Sequence, residues 1–130
     1  FLSNFYSCFV SLDGRRYASV EHAYQAAKTL DDEERLLIYF ALTPGRAKKL
    51  GRSLTLRKDW EKVKLDVMLD LLRQKFTAEG SFARRLLDTG EVQLVEGNGW
   101  GDTYWGVCNG SGQNWLGNLL MKVRAELRQR

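Results

Sequence analysis

The 130-residue sequence predicts a single, helix-rich α+β domain with a few short strands. Three observations point there. Capped segments with apolar residues at three- and four-residue spacing recur from Ser19 to the end of the chain, strand-like stretches are few and short, and no Pro-rich linker, repeat or low-complexity segment divides the chain. Residues 1–18 read as a short strand-and-turn segment, with Asp13-Gly14 as a hairpin signal between two alternating stretches. Ser19 is a natural N-cap for a helix running to about Leu30. Asp31-Asp32 cap a second helix through about Ala41. Thr43-Pro44 joins an N-cap to an N1 proline and opens a third, ending near Gly51. A long helix follows from about Lys58 to Phe76, with Trp60, Val63, Val67 and Leu71 along one side. Ser81 to Asp88 makes a short helix stopped by Gly90, and Val92 to Val95 reads as a strand. Asn114 caps the final helix, whose Leu116, Leu119, Leu120, Val123 and Leu127 form an apolar stripe.

Bulk properties narrow the function classes. Hydrophobic residues at 44% and charged residues at 28% are a globular balance, not a disordered one. The net charge of +4 suits phosphate-bearing ligands but is too small and too dispersed to establish a nucleic-acid-binding surface. No secretory signal and no membrane-length apolar run is visible, so the sequence predicts no membrane partner. Cys8 and Cys108 are isolated and lack metal-type spacing, which reads as reduced thiols in a cytoplasmic protein. No zinc, EF-hand, P-loop or dinucleotide-binding fingerprint is present, so no metal or cofactor is expected.

The most informative stretch is Tyr17 to Lys28. At about 100° per residue, Ala23, Ala26, Ala27 and Leu30 share one side, and three small residues let a helix sit close to its neighbour. Glu21, Gln25 and Lys28 recur on the opposite side with Tyr24 beside them. A carboxylate, an amide and an amine aligned on a docked helix can form one wall of an active site. The same spacing also describes an ordinary solvated face. His22, the only histidine, points away from Glu21 and reads as structural.

Residues 96–114 are the second signal. They hold six of the twelve glycines, interleaved with Trp100, Tyr104 and Trp105, without periodicity. Glycine permits tight turns and close approach to a ligand, and the aromatics offer flat surface for a base. Trp100 and Trp105 can equally pin the loop to the core. Glu96 and Asp102 place carboxylates at opposite ends of the bend. Two carboxylates from separate segments are the arrangement that general acid–base work needs. Glu21 on the helix and Asp102 on the loop are the candidates for such a pair. Lys75 and Arg46 read as phosphate contacts or solvated helix-end charges, Asn98 as a ligand contact or a turn former, and Trp60 as core or a stacking partner.

Motifs spread over nearly the whole chain resemble the NADAR family. They include Phe1-Leu2-Ser3-Asn4-Phe5-Tyr6, Tyr17-x-Ser19-Val20-Glu21-His22-Ala23-Tyr24-Gln25-x-x-Lys28, Gly45-Arg46-Ala47, Trp60 followed by Met68, and Lys75-Phe76. Later blocks are Leu87-x-Thr89-Gly90, Glu96-x-Asn98, Asp102-x-x-Trp105-Gly106, Gly112-x-Asn114-x-Leu116-Gly117 and Leu120-Met121-x-x-Arg124. Because the chain starts inside the first motif, the natural protein is expected to extend further at its N-terminus. The resemblance implies an N-glycosidase acting on ribose linked to an exocyclic amine. The foremost substrate it implies is ADP-ribose on guanine in nucleic acid. Ribosylaminopyrimidine phosphates of the riboflavin pathway are the alternative, and a non-catalytic ADP-ribose-binding module is the alternative of another class. It implies Glu21, Lys28 and Asp102 as catalytic residues. The substrate-binding residues it implies are Asn4, Tyr24, Gln25, Arg46, Trp60, Lys75, Glu96, Asn98, Trp105, Gly106 and Asn114. Functional pairing with an ADP-ribosyltransferase follows from the same resemblance. An exocyclic glycosylamine opens its sugar ring to an imine, so Lys28 is a candidate for exchange into that imine; its plainer role is a phosphate contact or an ion pair with Glu21.

Overall fold

Local capping chemistry opens three of the helices. The computed structural model describes residues 1–77 and 80–129, which fall into two compact units, Phe1–Lys75 and Phe76–Arg130. The first unit begins with an antiparallel hairpin, β1 (Val10–Leu12) and β2 (Arg15–Tyr17), in register Val10 to Tyr17. Asp13 and Gly14 both take positive φ, as a two-residue hairpin turn of this hand requires. α1 (Val20–Ala27) follows, its first turn capped by the Ser19 hydroxyl, which accepts the His22 N–H at 3.0 Å. α2 (Asp32–Tyr39) is capped by Asp31, and α3 (Pro44–Gly51) by Thr43 with proline in its first turn. α4 (Trp60–Lys75) closes the unit.

α1 is the hub of this unit. It packs on α2, α3, α4 and the hairpin, and each of its eight residues is buried. Ala23, Ala26 and Ala27 are fully buried, as the small-residue face predicts. The predicted helix end at Leu30 is corrected: α1 stops at Ala27, Lys28 is its C-cap, and Leu30 is 67% exposed. Thr29 turns the chain there, its carbonyl accepting from Arg35 Nε at 2.8 Å and its hydroxyl donating to Glu34. The buried face of α4 is also rotated from the predicted one. Trp60, Met68, Leu71, Leu72 and Lys75 are buried, whereas Val63 and Val67 are half-buried.

The second unit holds α5 (Ser81–Leu87), a two-residue parallel pair of β3 (Gly97–Asn98) with β4 (Val107–Cys108), and α6 (Trp115–Arg128). α5 and α6 pack together, and Arg124 of α6 donates to Thr89 Oγ1 at 2.8 Å. The predicted strand Val92–Val95 is not one. Val92 and Val95 face solvent and only Leu94 is buried, so the alternation has no sheet to pair with. The Asn114 side chain does not cap α6 either. Asn114 sits in the left-handed region at φ 53°, its Oδ1 accepting from Glu96 N at 2.8 Å and its Nδ2 donating to Leu94 O at 2.9 Å. It fastens the 94–96 segment as a surrogate strand partner. Six helices and four short strands among the described residues make this a helix-rich α+β fold.

Candidate active site

On α1, Glu21 and Gln25 lie one turn apart, and the Gln25 amide donates from Nε2 to Glu21 Oε1 at 2.9 Å. Both side chains are buried, Glu21 to 7% exposure. Burial pushes the Glu21 carboxyl above the ordinary carboxylate range. The Gln25 hydrogen bond and the positive charges of Lys48 and Lys28 pull the other way and are outweighed. Lys28, half-buried at the end of the same helix, shows the mirror effect. Desolvation lowers its proton affinity, Glu21 opposes that, and Lys48, Arg52 and Lys64 reinforce it. The mutual attraction of Glu21 and Lys28 thus loses to burial on both sides. The Lys28 amine lies 5.5 Å from the Tyr24 ring centroid, and Tyr24 rests on Trp60 at 5.2 Å. Tyr24 and Trp60 are buried, so they form the wall behind the amine.

The N-terminal motif is built onto this helix. The Asn4 carbonyl accepts the Glu21 N–H at 3.1 Å, fixing the backbone that carries the carboxyl. Asn4 Nδ2 contacts Met68 Sδ at 3.7 Å, and its Oδ1 is buried without a hydrogen-bond partner. Lys75 is 2% exposed and donates from Nζ to Ser3 O at 2.8 Å, so it clamps the Ser3–Tyr6 turn. Arg46 lines an open depression of about 550 Å³ on α3 with Thr43, Gly45, Lys49 and Leu50. His22 is held between Ser19 and the Ala41 carbonyl. With Nε2–H donating to Ala41 O at 3.0 Å, Nδ1 is left to pair with the Ser19 hydroxyl at 2.7 Å.

In the second unit the glycine-rich segment is a hydrogen-bonded loop. Asn98 Oδ1 accepts from Trp100 N and Asp102 N, and Nδ2 donates to the carbonyls of Asp102 and Val107. All four hydrogen-bonding positions of that amide serve the loop. Asp102 Oδ1 accepts from Tyr104 N at 3.1 Å and Trp105 N at 2.9 Å, forming an Asx turn that delivers Trp105 edge-on to Tyr104. Gly106 lets two backbones touch, since a Cβ there would stand 2.2 Å from Glu96 O. Trp100 at the tip is exposed.

The structure therefore brings Asn4, Glu21, Tyr24, Gln25, Lys28 and Trp60 together in the first unit. Lys75 supports them from the Ser3 turn, and Arg46 stands on the α3 face. Glu96, Asn98, Asp102, Trp105, Gly106 and Asn114 form one network in the second. Sequence reasoning missed Lys48, which acts on both Glu21 and Lys28. Nothing in the spacing of α3 relative to α1 marks it. Among the described residues no group of three or more His, Cys, Asp or Glu side chains converges to hold a metal ion, and no helix is long and apolar enough to cross a membrane.

Comparison with known proteins agrees with this architecture. The N-glycosidase YbiA of Shigella boydii is 41% identical over 128 residues, covering 96% of this chain and 79% of that protein. The N-glycosidase Npun_R5314 of Nostoc punctiforme is 39% identical, covering 97% of this chain and 84% of its own. The riboflavin biosynthesis protein VVA0006 of Vibrio vulnificus is 36% identical over 99% of this chain and 36% of its own length. The NMR structure of Escherichia coli YbiA superimposes with a TM-score of 0.86 at 40% identity, over 98% of this chain and 77% of that one. The chain is an N-glycosyl hydrolase like these relatives, which sets aside the binding-only alternative. Matched by the NADAR domain across residues 1–128, it belongs to the NADAR family.

Proposed function

We propose that the enzyme hydrolyses the bond between ribose C1′ and an exocyclic amine in a phosphorylated ribosyl substrate. One observation carries this reading: α1 pairs a buried, amide-held carboxyl of raised pKa with an amine of reduced proton affinity. Each shift runs in the useful direction, the carboxyl holding its proton more firmly and the amine less firmly. A ring-opened glycosylamine presents an imine at C1′. The Lys28 amine adds to that carbon, Glu21 supplies the proton that lets the substrate amine depart, and a Lys28 imine remains. Water then adds to C1′ and releases the sugar aldehyde, which regenerates the free lysine. Lys48, Arg52 and Lys64 around Lys28 suit the substrate's phosphate.

Two substrates fit this chemistry. The Vibrio relative is named a riboflavin biosynthesis protein, which supports a ribosylaminopyrimidine phosphate. The family resemblance equally supports ADP-ribose on guanine in nucleic acid, with an ADP-ribosyltransferase as functional counterpart. Purified protein offered both substrates, with sugar release followed by mass, chooses between them. Borohydride added during turnover is expected to trap a sugar adduct on Lys28, and Lys28→Arg is expected to lose adduct and activity together. Substantial turnover by the arginine variant with no adduct in the parent would leave direct attack by water, assisted by Glu21.

A further inference from the structure

Gly51 ends α3 in an ordinary helical turn, where alanine is the better helix former. The reason for glycine lies across the interface with α1. A Cβ built on Gly51 would stand 1.9 Å from Gln25 Oε1, 2.6 Å from Cδ and 3.3 Å from Cγ. The Gln25 side chain therefore occupies the space that a Cβ at position 51 would take. From there its Nε2 reaches Glu21, while its Oε1 is buried without a hydrogen-bond partner. An amide with half its polar capacity unmet is held by packing, not by its own hydrogen bonds. We propose that Gly51 is a positioning residue for Glu21: the missing side chain makes the slot that holds Gln25, and Gln25 holds the carboxyl.

The proposal rests on Glu21 as the proton donor but concerns how it is set. Glutamine has three free torsions, and a slot that admits one arrangement keeps its donor aimed before substrate arrives. A side chain at position 51 displaces the amide, and the carboxyl loses the hydrogen bond that favours its charged form. The other groups acting on Glu21 are Lys28, Lys48 and His22, none of which that substitution removes.

The test compares the parent with Gly51→Ala, Gln25→Ala and the double variant, by carbon-13 titration of the Glu21 carboxyl and by kcat across pH. Each single change is expected to move the Glu21 titration to higher pH and to lower kcat by about tenfold to a hundredfold, with KM little altered. The double variant is expected to match Gln25→Ala in both, because the new Cβ then has nothing to displace. An unmoved Glu21 titration in Gly51→Ala, or a double variant whose losses multiply, overturns the proposal. Should Gly51→Ala fold poorly, the other two decide: the double variant must melt no lower than Gln25→Ala, and a clearly lower melt shows that Gly51 serves another contact. Near-parent turnover in Glu21→Gln would remove the proton-donor role yet leave this coupling standing, so the two failures are distinguishable.

Discussion

Glu21 concentrates the conflict between stability and chemistry in one side chain. A buried carboxyl whose folded pKa is raised favours folding only while it is protonated in both states, and that advantage is lost as pH rises through the folded pKa. Glu21→Gln keeps an oxygen that accepts from Gln25 and removes the charge. It is expected to raise Tm by a few degrees at neutral pH and to leave it unchanged below the ordinary carboxylate range. The same variant should lose activity by ~10²-fold or more, the scale of a proton-transfer group. Equal melting of variant and parent at neutral pH would show that the carboxyl carries no burial penalty. Asp102 poses a different question, because its Oδ1 already serves the Tyr104 and Trp105 amides. Asparagine preserves that acceptor and alanine does not. If the charge acts in the reaction, Asp102→Asn and Asp102→Ala lose kcat alike; if only the turn matters, Asp102→Asn stays near the parent rate.

At the scale of elements, the two units use different devices. In the first, α1, α2 and α3 open on side chains that cap within three residues, so those three starts are written locally. The second depends on side chains that reach across the chain, Asn114 above all. Its amide bridges Leu94 O and Glu96 N from a left-handed backbone. Asn114→Ala strands two backbone groups and strains φ, and should cost about 1–3 kcal/mol in urea unfolding. Asn114→Gly loses the same hydrogen bonds but accepts the backbone, so it should be the more stable of the two by about 1 kcal/mol. An alanine variant as stable as glycine would show that the left-handed conformation is not kept.

Over the whole molecule, 20 basic and 16 acidic residues leave a net charge of +4, enough to steer the phosphorylated substrate proposed above but not to hold it alone. Rising ionic strength should therefore raise KM several-fold while leaving kcat nearly constant, since Glu21 and Gln25 are buried from the salt. A kcat that falls as steeply as kcat/KM would place the screened charges in the chemical step. The sequence by itself determined the hairpin at Asp13-Gly14, the caps at Ser19, Asp31 and Thr43, the helix-rich class, and the Glu21, Gln25, Lys28 spacing, because each depends on residues within one or two turns of one another. Tertiary structure alone decided that Val92–Val95 has no strand partner, that Leu30 is exposed, that Lys75 clamps Ser3 O, and that Gln25 lies on Gly51. Those outcomes depend on which backbones meet across tens of residues, and packing sets that meeting where local propensity is silent.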